Sequence, residues 1–191
     1  MAETYDDVDL VSAVSAERLA TAVLLAALTA VLAQLSIQLP GGIPFSLQPF
    51  GVFFAGLLLG PLWGGFALVV YLLAGIAGAP VFSNLGAGLG YLAGPTGGFL
   101  VGFLIAAVVI GAVAHRRLQP RSASELSVPD MLVGLLVGLV ALYAVGTPWF
   151  ATVQGWSIVR AGVFLVPFLI GDLIKVVITV GAVRGGSDLL P

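Results

Sequence analysis

Two residues in the stretch FLIGDLIKVVITV, Phe168–Val180, can do acid–base or strong hydrogen-bond chemistry: Asp172 and Lys175. The rest of the stretch is apolar or small and has the composition of a membrane helix. At the centre of such a helix an Asp or a Lys costs about 2.5–3.5 kcal/mol. Together they would cost roughly 5–7 kcal/mol if nothing offset them. Their i, i+3 spacing places both on one helical face, so they can pair. The pair either holds helix six to its neighbours or forms a polar site that meets a ligand. For ionisable groups within a membrane the second reading is the default.

Three neutral polar candidates accompany the pair. Asn84, in PVFSNLGAG, is a turn former or a binding residue. Gln48, in PFSLQPFG, stands where an apolar segment begins. In AGPTGG, Pro95 fits a first helical turn, and Thr96-Gly97-Gly98 would leave free N–H groups. Other chemistry is missing. The chain has no cysteine and one histidine, so thiolate sites and two-histidine metal sites are excluded, and no metal or cofactor is expected. It has one lysine and no G-x-x-x-x-G-K-[ST], so it is no P-loop ATPase. Seven scattered basic residues give no patch for nucleic acid. Nothing points to an enzyme. His115, beside Arg116 and Arg117, reads as a solvated flank.

The elements that must position these residues are membrane helices. Of 191 residues, 60% are hydrophobic and 8% charged, and mean hydropathy is +1.16. From Leu19 to Ala114 there is no Asp, Glu, Lys, Arg or His. The acidic beginning, MAETYDDVDLVSAVSAER, lacks the basic region of a secretory signal, so no cleaved signal is expected. Segment one runs from Arg18 to Leu39, followed by the Pro/Gly-rich loop PGGIPFSLQP. Segment two, FGVFFAGLLLG, is short and is divided by Gly60-Pro61 from segment three, LWGGFALVVYLLAGIAG. A Gly-rich connection follows, then segment four, closed by His115-Arg116-Arg117. Segment five is MLVGLLVGLVALYAVG, and segment six spans roughly Gly162–Val183.

Charge decides how many of these cross. Six spans put Arg18, Arg116, Arg117, Arg121 and Arg184 on one side and only Arg160 on the other. Five would set Arg18 opposite the Arg116–Arg121 cluster. The positive-inside rule therefore favours an all-α membrane protein of six transmembrane helices, the second short, with both termini cytoplasmic. The organisation is an acidic tail (1–17), a six-helix bundle (18–184) and a short tail (185–191). The outer loops are then Leu39–Leu47, Ala79–Gly94 and Trp149–Ala161, and the inner ones are the Gly60-Pro61 turn and Arg116–Asp130. Ala22, Ala26 and Ala30 make a smooth stripe on helix one that packs within the subunit or faces a partner. Gly56/Gly60, Gly98/Gly102 and Gly134/Gly138 repeat the spacing and read as internal packing. No internal repeat supports an inverted-repeat carrier.

Three blocks in order, GIPFSLQPFGVFFAGLLLGPLWGGFALVVYLLAGIAGAPVFSN, GPTGGFLVGF and GDLIK, resemble the BioY family. These are biotin-specific substrate-binding subunits, or S components, of energy-coupling-factor (ECF) transporters. The family more usually has Val-Thr at Phe45-Ser46, Thr at Pro49 and Tyr at Phe99. The resemblance implies biotin bound near the outer face of a cell-membrane bundle. By motif it makes Asp172, Lys175 and Asn84 binding residues, with Gln48, Phe45, Tyr91 and Tyr143 as further lining. It also implies a transmembrane coupling subunit and two cytoplasmic ATPases as partners, with the Ala22/Ala26/Ala30 stripe as the docking face. The alternatives are a carrier or S component for another small vitamin, and a structural membrane subunit whose charge pair only holds helices.

Overall fold

The computed structural model describes residues 13–39 and 41–187. Most of the acidic tail, residues 1–12, and the last four residues lie outside the described part. Five helices are long and apolar enough to cross a bilayer: Ser15–Gln34, Gln48–Ile76, Gly97–His115, Val128–Gln154 and Ile158–Gly186.

Helix α1, Ala13–Gln34, begins ahead of Arg18 and stops short of Leu39. Its end is pinned from the side. The Gln34 amide donates to Phe82 O at 3.1 Å and accepts from the Leu85 N–H at 3.0 Å. The following residues are not helix or loop but a small antiparallel ladder, β1 (Ser36–Gln38) with β2 (Pro44–Ser46), pairing Ile37 with Phe45. The ladder is short, and the fold around it is all-helical, as expected. Gly41 and Gly42, at φ of 90° and 78°, let the chain turn back, and the β-formers Ile37 and Phe45 sit opposite one another.

Helix α2, Gln48–Ile76, is broken where the sequence places a break: Gly60 has φ 70° and ψ −171°, and Pro61 follows. The break reverses the chain. A Cβ on Gly64 would lie 2.5 Å from the Ala55 carbonyl oxygen, nine residues earlier. In an unbroken helix nine residues rise about 13.5 Å. Residues 48–59 and 61–76 are therefore two helical segments packed against each other. The first rises only about 18 Å, less than the hydrocarbon core. With Ala13–Gln34, Gly97–His115, Val128–Gln154 and Ile158–Ser187 the bundle has six helical segments.

Beyond α2 the chain makes a 3-10 turn (Ser83–Leu85) and a one-turn helix α3 (Leu89–Leu92) before α4, Gly97–His115. Helix α5 runs Val128–Gln154 and α6 runs Ile158–Ser187. The expected outer loop Trp149–Ala161 shrinks to residues 155–157, because α5 continues through Pro148. Trp149 fastens that stretch: it packs over Gly98, and its indole N–H donates to Gly94 O at 2.9 Å. The glycine pairs do pack within the chain. Gly56 and Gly138 lie on Ile110, Gly134 on Ala114 and Gly102 on Leu142. So does the alanine stripe. Ala22 (0% exposed) and Ala26 (5%) are core residues, and Ala30 is half-buried against them. One observation gives the reason. Gly51 of α2 rides directly on Thr29, and this close approach needs small side chains on the facing stripe of α1. Ala22 and Ala26 of the stripe thus face the core of this chain.

His115 is also corrected. It is buried, not solvated. Pro61 has no N–H for the carbonyl four residues back, which is Leu57 O. His115 Nε2 sits 3.0 Å from that oxygen, while its Nδ1 accepts the Arg121 N–H at 3.0 Å. The Nδ1 contact leaves the proton on Nε2, so the ring donates to the orphaned carbonyl. Around it the loop 116–127 is tied by Arg116–Asp130 (2.8 Å) and Arg121–Asp130 (3.3 Å).

Candidate functional site

The two ends of the bundle differ. One holds the Gly60 turn, the 116–127 loop and the start of α1. The other gathers the β-hairpin, the 3-10 turn, α3 and the α5–α6 turn over a partly enclosed cavity. Asp172 lies midway along α6 and, with Lys175, forms part of the cavity wall. The pair is real: Lys175 Nζ donates to Asp172 Oδ1 at 2.7 Å, with the residues 5% and 6% exposed. Tyr143, from α5, donates its hydroxyl to Asp172 Oδ2 at 2.9 Å. The carboxylate is thus held from both sides, and it keeps lone pairs for further donors.

Aromatic rings surround this charged floor. Phe45 of β2 lies under the Lys175 ammonium, 4.5 Å from centroid to Nζ. Gly171 makes room for it, because any Cβ there would strike the Phe45 ring. Phe168 meets Phe45 at 6.0 Å, and Phe99 meets Tyr143 edge-on at 5.7 Å. Leu142, Leu165 and Phe103 complete an apolar middle.

A second, neutral polar group closes the other side. Gln48 is buried at the start of α2, and its Oε1 accepts from Ser46 Oγ (2.9 Å) and Ser83 Oγ (2.8 Å). Its Nε2 donates to Tyr71 OH at 2.6 Å. Tyr71 spends its one proton on Val81 O, 3.1 Å away, so its oxygen must accept. That fixes the amide: the NH2 faces Tyr71 and the oxygen faces the serines. Gln48 and Ser83 both line the cavity. Tyr91 roofs the cavity, stacked on Phe82 at 5.1 Å and donating to Ser83 O at 3.2 Å. Burial pushes its hydroxyl above the ordinary tyrosine value, so at neutral pH it stays a donor.

The structure therefore brings together six of the seven residues singled out in the sequence: Asp172, Lys175, Tyr143, Phe45, Gln48 and Tyr91. Asn84 lies apart. It is exposed at φ 57°, and its Nδ2 donates to Gln38 Oε1 at 2.6 Å, joining the 3-10 turn to the hairpin. It lines a neighbouring hollow that shares Ser83, Tyr91 and Thr96 with the cavity. The N–H groups expected to be free after Pro95 are partly used, since Gly97 N–H donates to Gly94 O at 3.1 Å. Ser46, Ser83, Tyr71 and Phe168 were not foreseen. For Phe168 a signal existed: Phe164, Phe168 and Asp172 recur every four residues on α6. Among the described residues no cluster of three or more His, Asp or Glu offers a metal site.

The site's chemistry is that of a binding pocket. It offers a carboxylate acceptor, an ammonium donor, a neutral amide donor and an apolar middle. The family model described as "BioY family" matches residues 6–191. A protein of Rhizobium etli named "Biotin transporter BioY" is 37% identical over 153 residues, covering 78% of this chain and 82% of its own. One of Thermotoga maritima with the same name is 39% identical over 153 residues, covering 80% and 85%. Among solved structures, the S-component for biotin from an ECF-type ABC transporter has a TM-score of 0.82 at 24% identity, covering 93% of this chain and 94% of that one. At that identity the likeness is one of fold.

Proposed function

The chain belongs to the BioY family, and from that premise we propose that it binds biotin in the Asp172–Lys175 cavity as the S component of an ECF transporter. The observation that carries the site is the buried ion pair on the floor of an otherwise aromatic cavity. Biotin has a ureido ring with two N–H donors and a carbonyl, an apolar thiophane and an anionic valerate. Asp172 Oδ2, already accepting from Tyr143, accepts a ureido N–H. Lys175 turns from Asp172 toward a ligand oxygen. Gln48 donates an amide N–H to another oxygen. Phe45, Phe99 and Phe168 cover the thiophane. Asn84 takes part if the turn that carries it closes inward over the ligand.

In this reading both termini and the 116–127 loop are cytoplasmic and the cavity opens outward, as the arginine distribution favours. The S component delivers biotin but hydrolyses nothing. A coupling transmembrane subunit and two cytoplasmic ATPases supply the energy. Because Ala22 and Ala26 are buried, a partner that meets α1 meets its other face, where Leu19, Val23 and Leu24 are exposed.

The test is a calorimetric titration of the detergent-purified chain with biotin. The wild type binds, and Asp172→Asn and Lys175→Ala lose binding. Equal binding by all three would remove the site. If the pair were only structural, replacing both residues by apolar ones of similar size would leave biotin binding and melting unchanged.

A further inference from the structure

We propose that Arg160 is the capture charge of this protein: it speeds the arrival of ligands bearing a carboxylate at the cavity mouth. The inference rests on the biotin reading above and adds a positioning residue outside the cavity. Residues 35–48, 77–96 and 149–161, which build the cavity end, contain a single formal charge, Arg160. Among the described residues the ion pairs use Arg116, Arg117, Arg121 and Lys175, and Arg160 is in none of them. Within the cavity Asp172 and Lys175 neutralise each other, so the floor exerts little net pull on an anion at a distance. The uncompensated charge at this end is therefore the exposed guanidinium.

Its place is fixed. The Arg160 guanidinium carbon stands 4.1 Å over the Trp156 ring. Stacking holds the flat face and leaves the N–H edge free for a carboxylate. Trp156 meets Phe164 at 5.5 Å, and Phe164 meets Phe168, a cavity wall, at 5.9 Å. Arg160, Phe164, Phe168 and Asp172 thus follow one another at i, i+4 along one face of α6, from surface to floor. The tip of the β-hairpin borders the same face. A Cβ on Gly41 would lie 2.9 Å from Phe164, and Gln154 donates to Gly41 O at 3.2 Å. The charge sits beside the hairpin that walls the cavity, over apolar surface that focuses its field.

The experiment is stopped-flow binding to the full chain in nanodiscs of zwitterionic phosphatidylcholine, with biotin and with its uncharged methyl ester. At low ionic strength Arg160→Gln slows biotin association about two- to threefold, with the dissociation rate unchanged. The gap closes as salt shortens the screening length to a few ångströms. The ester associates equally fast with both proteins, and Arg160→Lys restores most of the rate. Equal biotin association by wild type and Arg160→Gln at low salt would overturn the proposal. So would an equal slowing of the ester, which would make Arg160 only a support for Trp156. If the wild type bound neither compound, the biotin reading would fall and this one with it. Binding with an unchanged association rate would remove Arg160 alone.

Discussion

Asp172 is held by two donors of different kind, the Lys175 ammonium and the Tyr143 hydroxyl. Each can be removed separately. Tyr143→Phe deletes one hydrogen bond to a charged group, worth about 1.5–3 kcal/mol. A roughly tenfold or greater loss of biotin affinity in calorimetry is expected, because the hydroxyl helps aim the carboxylate. Lys175→Ala leaves the carboxylate buried without its counter-charge, so melting temperature should fall along with binding. Unchanged melting would mean that water reaches the carboxylate. The charged pair was legible in the sequence because two full charges in a greasy helix are costly unless they pair or meet a ligand. Ser46, Ser83 and Tyr71 were not. A neutral hydroxyl is cheap to bury once bonded, and nothing in its spacing announces that Val81 O will set the direction of a network centred on Gln48.

At the level of elements, the Gly60-Pro61 break is the most consequential turn in the chain. It makes the short segment that carries Gln48, and it frees the carbonyl that His115 then satisfies. His115→Phe fills the space but leaves Leu57 O unpaired, at a cost of about 1–3 kcal/mol. Its melting temperature should fall while the biotin dissociation constant holds, since His115 lies at the far end from the cavity. Gly64→Val would push a side chain into the Ala55 carbonyl and part the two segments. Wild-type melting of that variant would contradict the reversal. The break was readable from Gly-Pro punctuation. The β-hairpin was not, because three-residue strands are shorter than any alternation that could reveal them. Pro148 misled in the opposite direction. It drops one helical hydrogen bond, yet α5 persists because Trp149 is anchored on Gly94 and Gly98. The buried role of His115 needs Pro61 as a neighbour across the fold, and sequence distance hides that.

Across the whole molecule, the arginine-rich 116–127 loop lies at one end and the cavity at the other, where Arg160 is the single formal charge in the segments that build the mouth. The chain lacks cysteine, so single cysteines introduced at Ser124 and Ser157 report on sidedness without further change. A membrane-impermeant maleimide should label Ser157→Cys in intact cells and leave Ser124→Cys unlabelled until the cells are opened; the reverse pattern would invert the proposed orientation. The cavity also has to contend with its surroundings. An aromatic pocket open within a bilayer protein sits beside an enormous excess of acyl chains, which would fill it if greasiness were the sole criterion. Its floor forbids that. With no ligand present, Lys175, Asp172 and Tyr143 already satisfy one another, so a hydrocarbon tail that reached them would bury the pair more deeply and return no hydrogen bond. A guest with its own donors and acceptors can trade bond for bond. The ion pair that looks costly in a helix thus acts as a guard against the solvent that this protein lives in.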